Sequence, residues 1–186
     1  MKNTMASFCL AVAFALCTST VSTSIAQAAQ DVPSGAQYEI GLSPNAGALD
    51  LVIKTINTAK SQILVAAYTF TSKPIAIALI EAQARGVKVF VVADEDQNKK
   101  SYSAVTYLAN EGVPVRLNGG YQSMHHKFMV IDGLNVQLGS FNYSAAASSK
   151  NAENVLVLSN VKSAADVYSI EWRRLWDEAI PLVKKY

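Results

Sequence analysis

The stretch QILVAAYTFTSKPIAIALIEAQARGVKVFVVAD, residues 62–94, limits what this chain can fold into more than any other. It opens on a nearly unbroken apolar run, the pattern of a strand buried on both faces. A helix-period stretch follows over residues 73–86, with Pro74 near its first turn and Gly86 past its end. Proline is tolerated where helix N–H groups have no partner, and glycine where the chain must turn out of a helix. The β-branched run 87–94 is then a second strand. A chain that alternates such units must hide both strand faces, so helices must cover the sheet.

The same alternation extends outwards. QYEIGL (37–42) reads as a strand and GALDLVIKTINTAK (47–60) as a helix, with Leu51, Val52, Thr55, Ile56 and Ala59 on one stripe. NKKSYSAVTYLANEG (98–112) reads as a helix ended by Gly112, and VPVRL (113–117) as a short strand. The order then changes. HHKFMVID and NVQLGSFN are two strands joined at Asp132-Gly133, a strong hairpin signal. ENVLVLS (153–159) is a further strand. The closing stretch 163–180 is an amphipathic helix with Val167, Ile170, Leu175 and Trp176 as core candidates. The expected architecture is α/β: one mixed sheet flanked by helices, in a single domain over residues 29–186.

Residues 1–28 read as a signal peptide. An early lysine precedes an apolar run from about Ala6 to Leu16, too short to span a bilayer comfortably, and Ala26-Gln27-Ala28 has the small-x-small cleavage pattern. Cleavage after Ala28 would remove Cys9 and Cys17, so the mature chain would lack thiols, disulfides and thiolate metal sites. It would keep 15 basic and 14 acidic residues, a balance that makes no case for nucleic acid by charge alone. No later apolar run approaches membrane-spanning length. The expected location is periplasmic or secreted, with no integral membrane association after cleavage.

Chemistry concentrates in HHKFMVIDGLNVQLGSFN, residues 125–142, which holds both histidines of the chain. Strand alternation would set His125 beside Lys127 on one face and His126 and Asp132 on the other. Across the hairpin, Ser140 and Asn142 would share a face. An imidazole, an ammonium, a hydroxyl and an amide then make a pocket suited to a phosphoryl group. Three donors hold its oxygens while the imidazole attacks phosphorus. Gly139 lets backbone approach closely. The acids of DEDQNKK (94–100) invite a metal reading, but a loop and helix start explain Asp94, Glu95 and Asp96 more simply.

His125, Lys127, Asp132, Gly139, Ser140 and Asn142 complete the pattern His-x-Lys-x4-Asp-x6-Gly-Ser-x-Asn. This resembles the single HKD motif of the phospholipase D superfamily. The downstream KNAENVLVL, the βα order and the length are similar to its small secreted bacterial members, the Nuc-type endonucleases. The resemblance implies that His125 is a nucleophile forming a phosphohistidine, that Lys127 and Asn142 bind phosphate, and that Ser140 supports them. It implies that Glu153 orients the histidine. Asp132 completes the motif and, lying on the other face, reads as structural. It also implies metal-independent cleavage without a cofactor.

Displacement at a phosphodiester needs a nucleophile and a proton donor for the leaving oxygen, yet only one histidine per chain faces this pocket. A homodimer that joins two motifs across a two-fold axis would supply the second. The expected activity is sequence-nonspecific endonuclease cleavage of DNA, and of RNA. One alternative is phospholipase D action on phosphatidyl head groups. Another is a non-catalytic nucleic-acid-binding domain, which the intact motif argues against.

Overall fold

The computed structural model describes residues 29–100 and 103–184; the leader read from residues 1–28 lies outside them. In chain order the elements are β1 (Gln37–Ser43), α1 (Ala48–Thr58), β2 (Gln62–Ala67), α2 (Lys73–Ala84), β3 (Lys88–Asp94), α3 (Glu95–Asn98), α4 (Ala104–Asn110), β4 (Val115–Asn118), β5 (Lys127–Ile131), β6 (Asn135–Gly139), α5 (Ala145–Ser149), β7 (Glu153–Ser159), α6 (Lys162–Glu178) and β8 (Ile180–Pro181). Among the described residues the strands form one eight-stranded sheet in the order β1-β7-β6-β5-β2-β3-β4-β8. The runs β2, β3 and β4 are parallel, as their helical crossovers require, and the remaining pairs are antiparallel. The α/β mixed sheet flanked by helices is the architecture expected from the sequence.

The two faces of the sheet are covered unequally. On one, Ile63, Val65, Val91, Met129 and Val157 pack against the buried stripes of α1, α2 and α4. On the other, Leu64, Ala66, Phe128, Val130 and Val136 meet α6 through Ala165, Trp172 and Leu175. Trp172 is buried, and its indole N–H donates to the carbonyl of Val65 at 2.9 Å. Beyond the reach of α6 the same face continues across β7 and β1, where Ile40 pairs with Leu156 and Tyr38 with Leu158. There Tyr38 and Ile40 are 70% and 61% exposed.

Four sequence expectations change. β5 begins at Lys127, so both histidines precede the strand. Of the helix expected over 98–112, the described residues form only α4, Ala104–Asn110, while the preceding α3 ends at Asn98. Ser103 caps α4 through its hydroxyl, and Asn98 turns its side chain inward to the backbone of Tyr68, Phe70 and Asp94. A final two-residue strand, β8, pairs with β4. Val167 and Ile170 are not core: α6 presents Trp172 and Leu175 to the sheet, leaving Ile170 73% exposed. Periodicity finds an apolar side chain on a helix but does not say which of two apolar stripes meets the sheet.

Candidate active site

The register brings the site together at one edge of the sheet. Lys127, the first residue of β5, pairs with Ala67 at the end of β2. Gly139 ends β6 opposite Val155, and Glu153 opens β7. Asp94 and Asn118 close β3 and β4 side by side. Asp132 follows the other end of β5, five residues away and thus about 16 Å along an extended strand.

His125 and Lys127 are in contact. The Lys127 ammonium lies 2.9 Å from His125 Nδ1 and donates to the His125 carbonyl at 2.7 Å. Tyr68, just past β2, joins them: its ring centroid is 4.3 Å from that of His125, and the ammonium lies 4.8 Å over the ring. Lys127 is 7% exposed, a rare environment for an ammonium. Burial pulls its pKa down to about 8, against the opposing charge of Glu153. Burial also lowers His125, aided by the charge of Lys127 and opposed by that of Asp94. Both groups therefore give up protons more readily than in water. His125 Nε2 has no partner among the described residues, which leaves it open to an electrophile.

Ser140, Asn142 and Glu153 complete the edge. The Ser140 hydroxyl accepts from the backbone N–H of Asn154 at 3.1 Å and from its side-chain amide at 3.3 Å. Two accepted bonds leave its proton free to donate outward. Asn142 keeps a buried amide oxygen without a partner among the described residues. At Gly139, φ is +148°, and a Cβ would collide with the backbone oxygen of Asn154, so glycine is needed for the close approach of β6 and β7. Glu153 accepts from the Asn151 amide at 3.0 Å and acts electrostatically on Lys127. No hydrogen bond joins it to His125. The charge of Glu153 bears on Lys127, whereas the carboxylate whose charge bears on His125 is that of Asp94.

His126 turns away from this group. Its Nε2 lies 3.2 Å from Glu171 on α6, and its ring meets Phe128 edge-on. Asp132 has a folding role: with φ at +56°, its carboxylate accepts from the backbone N–H groups of Lys60, Ser61 and Gln62 and from the Ser61 hydroxyl. Burial pushes its pKa up, but these donors outweigh it and hold the carboxyl below its ordinary value. Among the described residues, no three His, Cys, Asp or Glu side chains gather as a metal site. Asp94 caps α3 and Asp96 pairs with Lys99 instead. Sequence reasoning missed Tyr68 and Asp94, whose contacts with the site are made only by the sheet.

The sequence profile "Cardiolipin synthase, PLD-like domain" matches residues 52–176. A protein named "Phospholipase D" from Rickettsia bellii is 35% identical over 130 residues, covering 70% of this chain and 64% of its own length. A "Mitochondrial cardiolipin hydrolase" from Xenopus tropicalis is 35% identical over 123 residues, covering 66% of this chain and 58% of its own. The chain therefore spans roughly three-fifths of these relatives. Among solved structures, a phospholipase D family member, Nuc from Salmonella typhimurium, superposes with a TM-score of 0.78 at 35% identity, over 80% of this chain and 99% of that one.

Proposed function

Because the chain belongs to the phospholipase D-like family of phosphodiester hydrolases, we propose that it is a metal-independent endonuclease that cleaves DNA and RNA through a phosphohistidine on His125. The observation that carries this reading is the contact of an imidazole and a buried ammonium, beside a hydroxyl and an amide, at one edge of the sheet. Such a group fits a phosphodiester: Lys127, Ser140 and Asn142 hold non-bridging oxygens while Nε2 attacks phosphorus and the bond to the leaving oxygen breaks. Attack requires an unprotonated Nε2. The Lys127 ammonium therefore turns from Nδ1 to the phosphate, and Nδ1 takes the ring proton. Donors aimed at phosphate read no bases, so cleavage is sequence-nonspecific. The likeness to Nuc, which matches nearly the whole of that chain, favours nucleic acid as the substrate.

The leaving oxygen needs a proton, and His126 is tied to Glu171. We infer a homodimer in which the partner's His125 supplies it and then activates water against the phosphohistidine. The exposed apolar side chains Tyr38, Ile40 and Leu42 on one face of β1 are a surface that such a partner would cover. Ile40→Asp should then yield monomers with little activity, measured by scattering. The signal-like leader supports export to the periplasm or medium, with an N-terminus near Ala29.

The names of the Rickettsia and Xenopus relatives favour a second reading, hydrolysis of phospholipid head groups by the same residues. Purified protein in excess EDTA, offered plasmid DNA, RNA and fluorescent phospholipid in parallel, separates the two. Nicked plasmid with intact lipid is expected. Lipid hydrolysis with intact nucleic acid would favour the second reading, and rescue by magnesium would overturn metal independence.

A further inference from the structure

We propose that Asp94 is a positioning residue for the nucleophile: its buried carboxylate holds the segment that carries His125 against the end of β3. This rests on the proposed role of His125. Segment 119–126 lies outside any helix or strand, yet it must hold an attacking nitrogen in place. Asp94 is 3% exposed. Its Oδ1 accepts the N–H of Gln97 at 2.9 Å, which caps α3, and its Oδ2 accepts the N–H of Met124 at 2.8 Å, one residue before His125. On β4 its register neighbour Asn118 accepts the N–H of Gly120 at 3.0 Å and donates to the carbonyl of Leu175 on α6, also at 3.0 Å. Two side chains from adjacent strands thus pin the segment at both ends, and the buried Met124 side chain anchors it between them.

A carboxylate is suited to this in a way an amide is not. Two N–H groups from different elements each need an acceptor, and an amide would turn one of its own N–H groups towards a donor. The charge acts as well. The groups that bear on the His125 ring are Lys127 from β5, Asp94 from β3, the neighbouring His126 and the Tyr68 ring. Of the charged ones, Asp94 is the anion and favours the imidazolium. Asp94 therefore fixes where the ring sits and moderates how readily it loses its proton.

The test is Asp94→Asn in the full chain, read as kcat/KM on bis(p-nitrophenyl) phosphate across pH, with the His125 ring titrated by NMR. That diester needs no assumption about the biological substrate. The rate should fall roughly 10- to 100-fold, the scale of a ~1 Å misplacement. The His125 midpoint and the acid limb of the pH profile should move to lower pH, because an anion that favours imidazolium is gone. Asp94→Glu should bring the midpoint back towards that of wild type. A purely structural residue would reduce the folded fraction without moving the midpoint, and an unmoved midpoint overturns the proposal. Should Asp94→Asn not fold, amide exchange at Met124 in the wild type decides. Slow exchange is expected, and exchange at the rate of a free loop overturns it. An active His125→Asn chain would instead sink the nucleophile reading.

Discussion

The two ends of β5 carry the two halves of one sequence motif, and they have become different kinds of place. At the Lys127 end, an ammonium is buried where it loses its proton near pH 8, and it faces an imidazole whose proton is also loosened. Neither has an opposite charge in hydrogen-bond contact, so the arrangement costs stability. At the Asp132 end, four donors converge on one carboxylate and hold it ionised, which stabilises the turn between β5 and β6. A motif residue is thus not automatically a reacting residue. The strand keeps the two in fixed register, and each end answers to a different demand.

Substitutions should pull the ends apart. His125→Ala should lower turnover by ~10³ or more, the scale for losing a covalent nucleophile, with an unchanged melting temperature. A residual rate near that of wild type would break the comparison at once. Lys127→Met should also abolish most turnover while leaving the fold as stable or more so, because it removes a buried charge. In the wild type the two effects run in opposite directions with pH. As pH rises through about 8, Lys127 loses the charge proposed to hold phosphate, so kcat/KM should decline. Over the interval from there to its ordinary value of 10.5 the unfolded chain binds the extra proton, so this group adds stability as pH rises.

Asp132→Ala should do the reverse of Lys127→Met. The lost acceptor should cost about 1–3 kcal/mol, towards the low end because water reaches part of the turn. Turnover per folded molecule should stay near wild type. The contribution of Asp132 is present above its ordinary pKa of 3.8 and fades as pH falls through the lower folded value, so wild type and variant should converge in acid. Calorimetry across pH checks this. The smallest effect should be at His126. Its half-exposed pair with Glu171 contributes about 1 kcal/mol or less, and His126→Ala should leave turnover nearly intact.

These differences set what a sequence can disclose. The βα alternation was legible because strands buried on both faces and helices ended by glycine leave local signatures. The pairing of His125 with Lys127 was legible through the motif, although alternation carried β5 two residues too far: nothing in HHK marks where pairing with β2 stops. The structural reading of Asp132 followed from its turn, but its partners at residues 60–62 did not. Tyr68 was hidden in a run that reads as plain strand. Asp94 was hidden because its partner Met124 is 30 residues away. Val167 and Ile170 were misread because apolar spacing alone does not say which side of α6 meets the sheet.

The central claim is that the Lys127 end of β5 does covalent chemistry and the Asp132 end does none. A short oligonucleotide carrying labelled phosphate, mixed with the protein and quenched in denaturant, tests it most directly. Wild type, His126→Ala and folded Asp132→Ala should each carry label in a peptide spanning His125, and His125→Asn should carry none. Label on any other residue, or cleavage by His125→Asn at the wild-type rate, would contradict the account.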